Sequence, residues 1–168
     1  EDDLATRMAV GMLDLGPPFQ AVLVPPAWPR TKPKALNVGL VGARDGLLVV
    51  YDAEDRPEPD QLRRAAAAFR AAPDLACVQA ALAIDNAEPR WIARLFVLEY
   101  AANFDALLPA LERLDLPLPL GGSSNHFRVA ALRQAGAWDP ENVTEDADLG
   151  FRLARLGHRC GTLASTTF

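Results

Sequence analysis

A short apolar run that leads directly into an acidic turn constrains the fold of this chain most strongly. Residues 47–51 are continuously apolar, which is typical of a strand buried on both faces of a sheet. Residues 75–84 form a second β-type run, and helical patterns cover residues 34–44, 60–72 and 89–114. Strands that alternate with helices at this spacing predict an α/β fold with a mostly parallel sheet.

The amino-terminal part of the chain has a different pattern. Residues 2–15 predict an amphipathic helix that ends at Gly16, because prolines follow it. Residues 19–24 form a short apolar run that predicts a strand, and Pro25 ends it.

Composition narrows the possible classes of protein. Half of the 168 residues are hydrophobic and the net charge is -5, so we expect one folded domain over residues 1–168 and no nucleic-acid partner. No apolar run reaches the roughly 18 residues that a membrane span needs. Cys77 and Cys160 are too few for a disulfide framework, which favours a reducing, cytoplasmic setting. Because the chain begins with Glu1, we expect a fragment of a longer protein.

Three carboxylates follow the apolar run at 47–51 within four positions. Asp52, Glu54 and Asp55 stand where the carboxyl ends of parallel strands carry the chemistry of such sheets. A hard divalent cation such as Mg²⁺ would relieve their mutual repulsion and could bring a diphosphate with it. A solvated loop in which aspartate forms the turn explains the same residues about equally well.

A basic segment precedes the second predicted helix. Lys34 stands at the helix start, where free backbone N–H groups favour an anion, and Asn37 lies one turn further on. These residues could bind a phosphate-bearing ligand. Taken alone, a solvated basic loop is the more economical interpretation.

A glycine–serine segment carries a dense run of hydrogen-bonding groups. Gly121 and Gly122 allow the backbone to approach a ligand, and residues 123–126 are Ser-Ser-Asn-His. The order of a serine nucleophile elbow is absent. His126 by itself is better explained as a structural histidine than as a metal ligand.

A second acidic segment opens the last predicted helix. Thr144 suits the N-cap, and the helix dipole explains Glu145 and Asp148. Asp146 shares one helical face with Leu149, Leu153 and Leu156, so we expect it to point inward. An inward carboxylate in a cleft can act as a general base on a hydroxyl.

The four segments occur in a specific order, and together they resemble one family. The segments are Lys-Pro-Lys-Ala-Leu-Asn (32–37), Tyr-Asp-Ala-Glu-Asp-Arg-Pro (51–57), Gly-Gly-Ser-Ser-Asn-His-Phe-Arg (121–128) and Thr-Glu-Asp (144–146). The chain resembles glycosyltransferase family 2, in the branch that includes bacterial cellulose synthase and related membrane polysaccharide synthases. This resemblance implies a GT-A fold and inverting sugar transfer from a nucleotide donor, usually a UDP-sugar, to a glycan or another hydroxyl acceptor.

The resemblance also implies roles for individual residues. Asp146 corresponds to the catalytic base. The donor-binding residues would be Lys34, Asn37 and Asp52, and the divalent metal, Mg²⁺ or Mn²⁺, would be held by Glu54, Asp55 or both. The acceptor side would be formed by Gly122, Ser123, Ser124, Asn125, His126 and Glu145.

Several parts of the family pattern are missing from the chain. These are the first strand of the domain, the Gln-x-x-Arg-Trp segment and the membrane helices. We therefore expect a partial domain, truncated at both ends and inactive alone, from a protein held at the cytoplasmic face of a membrane. A non-catalytic nucleotide-sensing or scaffold domain and a nucleotidyltransferase are the alternatives, and a dehydrogenase lacks its Gly-x-Gly-x-x-Gly motif.

Overall fold

One four-stranded sheet organises the fold. The computed structural model describes residues 3–85 and 91–168. The strands are β1 (Leu47–Val50), β2 (Leu75–Leu82), β3 (Asn125–Arg128) and β4 (Arg159–Thr167), and their order in the sheet is β1–β3–β2–β4. β2 pairs with β4 in parallel, whereas β3 lies antiparallel between β1 and β2. Three of the four strands therefore run in one direction, and the predicted α/β class with a mostly parallel sheet is confirmed.

Helices cover both faces of this sheet. The helices of the described residues are α1 (Leu4–Met12), which buries no residue, α2 (Lys32–Val41), α3 (Gln61–Ala71), α4 (Trp91–Ala101), α5 (Leu108–Arg113), α6 (Val129–Gln134) and α7 (Glu145–Arg155). A π-helical stretch, Ala102–Leu107, joins α4 to α5, so the long helix predicted over 89–114 is confirmed from residue 91 to residue 113. Residues 89 and 90 lie outside the described part of the chain.

The core has one cluster on each face of the sheet. Side-chain alternation along β3 puts Phe127 on one face, where its ring meets Trp138 edge-on at 5.7 Å, and His126 on the other. Leu149 and Leu153 of α7 are fully buried in the first cluster. Leu156 follows the last residue of α7 and is 47% exposed, so only two of the three predicted core leucines of this helix are buried.

The second cluster lies under α3. Ala65 and Phe69 of that helix pack against Val78 and Leu163 of the sheet. The guanidinium of Arg128 lies 5.0 Å from the centre of the Phe69 ring and donates hydrogen bonds to two backbone carbonyls. These contacts fix α3 against β2, β3 and β4, so the turn that leads from β1 into α3 is held at its far end.

The predicted strand over residues 19–24 is wrong. These residues form no strand, and Phe19, Val22 and Leu23 are exposed. Prolines at both ends prevent the run from joining a ladder, since proline lacks a backbone N–H. The helix predicted nearby is confirmed as α1, although none of its residues is buried.

Two further features bear on the sequence-based expectations. Within residues 3–85 and 91–168, no helix combines the length and apolar character that crossing a bilayer requires. Cys77 and Cys160 are buried free thiols.

Candidate functional site

A cleft of about 240 Å³ lies at the edge of the sheet where β1, β2 and β4 end. The acidic turn after β1 and the glycine–serine loop before β3 supply its polar walls. Tyr100 of α4 and Thr167 of β4 complete it, and neither was expected from the sequence. The two regions that the sequence analysis considered separately therefore share one cavity.

The acidic turn is closed by its own carboxylate. Asp55 Oδ2 accepts a hydrogen bond from the backbone N–H of Asp52 at 2.8 Å and another from the hydroxyl of Ser123. Asp55 thereby ties the turn to the glycine–serine loop, and one of its two oxygens is already used twice. Glu54 is exposed, lines the cleft and makes no hydrogen bond or ion pair with any described residue.

The lysine in the cleft is Lys32. Its ammonium forms an ion pair with Asp52 Oδ1 and donates to the backbone carbonyl of Gly122 at 2.6 Å. Lys34 instead donates to the backbone carbonyls of Pro25 and Ala27. Residues two apart on a helix point to nearly opposite sides, so only one of these lysines can face the cleft. The structure does not bring Lys34 to the cleft, and its role in binding a nucleotide donor stays a prediction.

Asn37 binds backbone rather than facing an open cavity. Its amide donates to the carbonyl of Trp138 at 2.7 Å and accepts from the backbone N–H of Trp138 at 3.2 Å. Arg152 of α7 reaches the same loop, where it donates to the carbonyls of Ala135 and Ala137. Residues 135–138 therefore anchor both α2, which carries Lys32, and α7.

A buried glutamine, Gln79 of β2, holds the glycine–serine loop in place. Its amide accepts from the backbone N–H of Gly121 at 2.8 Å and donates to the carbonyl of Ser123 at 2.9 Å. Among the residues predicted for the acceptor side, Gly122 and Ser123 line the cleft.

The other three residues of that run lie beneath the cleft, since Ser124, Asn125 and His126 are all buried. The Ser124 hydroxyl donates to Thr167 Oγ1 at 2.6 Å. His126 lies edge-on to the Tyr51 ring at 6.1 Å, and neither of its ring nitrogens has a hydrogen-bond partner among the described residues. Burial lowers the pKa of His126 below its ordinary value. These residues support the floor of the cleft.

Asp146 approaches the same loop from α7. It is half-buried in the first turn of the helix, and its Oδ1 accepts from the backbone N–H of Ala147 at 2.8 Å. A Cβ atom on Gly122 would lie only 3.2 Å from Asp146 Oδ2. Because Gly122 has no side chain, the Asp146 carboxylate can occupy this position. Glu145 beside it is also half-buried.

All four sequence segments meet around Gly122. Lys32 donates to its carbonyl, Asp146 lies against its Cα, and the next residue, Ser123, donates to Asp55. Within residues 3–85 and 91–168, no three His, Cys, Asp or Glu side chains form a metal site by themselves. Any cation in the cleft would therefore need further oxygens, such as those of a diphosphate.

Comparison with a solved structure defines the class of fold. The chain is similar to the mannosyltransferase PcManGT from Pyrobaculum calidifontis in complex with GDP-Man and Mn²⁺, with a TM-score of 0.59 and 21% sequence identity. The match covers 79% of this chain and 34% of that one. The fold is therefore of the GT-A type, as expected.

Sequence comparisons identify the family. A family model described as glycosyl transferase family group 2 matches residues 47–167. Over 110 residues, the chain is 30% identical to probable glucomannan 4-beta-mannosyltransferase 15 of Arabidopsis thaliana, covering 66% of this chain and 20% of the relative. It is 27% identical over 110 residues to glucomannan 4-beta-mannosyltransferase 1 of Oryza sativa subsp. japonica, covering 66% of this chain and 21% of the relative. The chain spans about a fifth of the length of these relatives, and it belongs to glycosyl transferase family group 2.

Proposed function

We propose that the complete protein is an inverting glycosyltransferase. It moves a sugar from a nucleotide-sugar donor to a hydroxyl group of a glycan acceptor during polysaccharide synthesis. The observation that carries this proposal is the meeting of Lys32, Asp52 and Asp146 around Gly122 in a chain of this family.

The donor is best sought among nucleotide-activated hexoses. The solved relative holds GDP-Man, and the curated relatives are named as glucomannan mannosyltransferases. These similarities support GDP-mannose as the first donor to test, beside the UDP-sugar expected from the sequence. The carboxylates of the cleft suit either donor, because a divalent cation held by them would also bind the diphosphate that both donors carry.

The cleft fits a divalent metal. Glu54 is free to ligate, and Asp52 lies beside it with only Oδ1 in the ion pair to Lys32. Hard cations such as Mg²⁺ or Mn²⁺ prefer these oxygens and, when bound, offset the charge of a leaving diphosphate. Asp55 contributes less to ligation, because its Oδ2 is already engaged by Ser123 and the Asp52 N–H.

Lys32 and Asp146 have separate roles in the proposed sugar transfer. Lys32 places a positive charge beside Asp52, where the diphosphate would bind. Asp146 removes the proton from the acceptor hydroxyl as its oxygen attacks the anomeric carbon. The bond between that carbon and the diphosphate oxygen breaks on the opposite side, so the configuration inverts.

The test uses the complete protein and a donor screen. Purified enzyme with Mn²⁺ should release a nucleoside diphosphate from one of GDP-mannose, UDP-glucose or related donors. Asp146→Asn should lower turnover by about 100-fold or more, while donor affinity measured by calorimetry stays near the wild-type value. Glu141→Gln, an exposed carboxylate before α7, is the matched control and should retain activity.

Two results would contradict the proposal. One is the absence of release with every donor, and the other is unchanged turnover in Asp146→Asn.

We also propose that the complete protein acts at the cytoplasmic face of a membrane. Activity confined to the soluble fraction of lysed cells would oppose that location.

A further inference from the structure

A buried glutamine near the cleft contacts Thr167, which lines the cleft, and Tyr51, which directly precedes the acidic turn. Gln61 is the first residue of α3 and is 1% exposed. Its Oε1 accepts a hydrogen bond from the Tyr51 hydroxyl at 2.7 Å, and its Nε2 donates to Thr167 Oγ1 at 3.0 Å. The same Nε2 also lies 3.2 Å from Ser165 Oγ and 3.3 Å from the carbonyl oxygen of Thr166. One amide therefore joins the end of β1 to the end of β4.

The partners of Gln61 place it next to the candidate metal ligands without touching them. Tyr51 directly precedes Asp52, and Thr167 of β4 lines the cleft together with the acidic turn. The amide thus connects the start of the acidic turn to a lining residue of β4. Moving either partner would move a wall of the site.

The acidic turn is attached to β4 at its far end by backbone hydrogen bonds. Arg56 and Phe168 exchange two of them, at 2.8 and 3.1 Å, and the N–H of Glu58 donates to the carbonyl of Thr166 at 3.0 Å. At the near end, the hydrogen bond of the Tyr51 hydroxyl to Gln61 is its link to β4 among residues 3–85 and 91–168. The glutamine therefore completes the attachment of the turn on the side where Asp52 begins.

Because Gln61 is buried, its amide depends on these hydrogen bonds. A buried amide without partners costs free energy, so a glutamine at this position is stable only while its hydrogen bonds are made. An apolar side chain of similar length would fill the space but leave the hydroxyls of Tyr51 and Thr167 without their shared partner.

We propose that Gln61 is a positioning residue that sets the separation between the acidic turn and the end of β4, and thereby the geometry in which the cleft holds a metal and a diphosphate. This inference rests on the proposed function. It adds a residue that touches neither donor nor acceptor and acts through Tyr51 and Thr167.

The experiment measures binding and activity separately in the complete protein. Titration of Mn²⁺ in the presence of GDP and of UDP, followed by calorimetry, gives the affinity without turnover. Gln61→Met should weaken this affinity by about 10- to 100-fold, the usual effect of losing a group that orients metal ligands. The Mn²⁺ concentration for half-maximal transfer should rise in parallel.

Two further variants separate positioning from stability. Tyr51→Phe removes only the hydroxyl that reaches Gln61, and it should weaken Mn²⁺ binding in the same direction by a smaller factor. Thr162→Val is the control on β4, the strand that Gln61 contacts, because it breaks a hydrogen bond to Glu112 away from the cleft. It should lower the melting temperature and leave the Mn²⁺ affinity unchanged.

The outcomes distinguish this inference from the proposed function. If Gln61→Met and Tyr51→Phe bind Mn²⁺ and the nucleotide as the wild type does, Gln61 is only structural and the inference is overturned. Should Gln61→Met fail to fold, the result for Tyr51→Phe decides alone. If the wild type itself neither binds a nucleotide nor releases one, the proposed function fails first.

Discussion

Gly122 shows how much one absent side chain determines at this site. Its carbonyl accepts a hydrogen bond from the Lys32 ammonium. Because it has no Cβ atom, there is room for the Asp146 carboxylate. Neighbours with charges of opposite sign thus approach one backbone position from two helices. A Cβ atom at this position would press against the carboxylate of Asp146, which is the candidate base.

The first prediction concerns this position. In Gly122→Ala the new methyl group lies 3.2 Å from Asp146 Oδ2, so the carboxylate must shift by a few tenths of an ångström. We expect transfer to fall by about 10-fold or more, because small displacements of a reacting group are costly. Steady-state kinetics of the complete protein would check this.

A matched control exists in α2. A Cβ atom on Gly39 would have no neighbouring atom within 4 Å, so Gly39→Ala should keep full activity. It should also raise the unfolding free energy by roughly 0.5–1 kcal/mol, since alanine favours the helix. Equal activity of the two variants would show that the space at Gly122 is not needed.

At this scale the sequence predicted residue types better than residue positions. The lysine segment was expected to face a ligand. The structure places Lys32 beside Asp52, whereas Lys34, which the resemblance indicated, contacts backbone carbonyls, and its role stays a prediction. Gln61 and Gln79 were not predicted, because a glutamine in a sequence looks like a surface residue. Only the fold reveals that both are buried.

Among the elements, α2 and α7 depend on the loop of residues 135–138. Asn37 binds the backbone of Trp138, and Arg152 binds two carbonyls of the loop and the carboxylate of Asp148. The two helices bring Lys32 and Asp146 to Gly122 from different parts of the chain. Their relative placement is therefore set by hydrogen bonds that lie outside the cleft.

The second prediction tests this attachment. Arg152→Leu removes a half-buried cation and leaves Asp148 and two carbonyls unpaired, so unfolding should cost about 2–4 kcal/mol less. Urea denaturation followed by circular dichroism measures the change. Arg133→Leu is the control, because its partner Asp45 is almost fully exposed and such pairs contribute about 1 kcal/mol or less. Similar losses in both variants would contradict the special role of Arg152.

The elements show where periodicity is informative and where it is not. The sequence predicted β1, α3, β2 and α7 to within a few residues, because each has a clear apolar pattern. The run at 19–24 has the composition of a strand, but the prolines on both sides of it disfavour pairing, and it pairs with none of the described strands. The direction of β3 was not predicted either, because pairing direction depends on the path of the chain and not on the pattern of a four-residue strand.

At the scale of the whole molecule, His126 links stability to pH. Burial lowers its pKa, so the folded protein resists protonation while the unfolded chain accepts a proton near the ordinary value of 6.5. The stability from the neutral ring is complete above that value. It decreases as the pH falls below it, until the lowered pKa of the folded state is reached.

The third prediction follows from that sign. Between about pH 7.5 and about pH 5.5 the unfolding free energy should fall, with His126 contributing at most about 1.4 kcal/mol. His126→Phe should remove this contribution and keep the edge-on contact with Tyr51. His158→Gln, which changes the other histidine of the chain, should retain it. Urea titrations at both pH values compare the three proteins, and an unchanged pH dependence in His126→Phe would contradict the prediction.

The whole-molecule class was predictable because it needs only the order of elements and motifs. The convergence of four segments on one loop was expected only through resemblance. Contacts such as Ser123 with Asp55, which are 68 residues apart, leave no periodic signal in a sequence. The supporting layer beneath the cleft was invisible for the same reason.

The position of β3 has a consequence for the order in which the site is assembled. β3 lies between β1 and β2 but follows both of them in the chain, so β1 gains its described neighbour in the sheet only after residue 128 has been made. The acidic turn then waits for Phe168 to pair with Arg56. During synthesis on the ribosome, these contacts of the acidic turn can therefore form only after β4 has been made, so the turn acquires its described geometry in one late step.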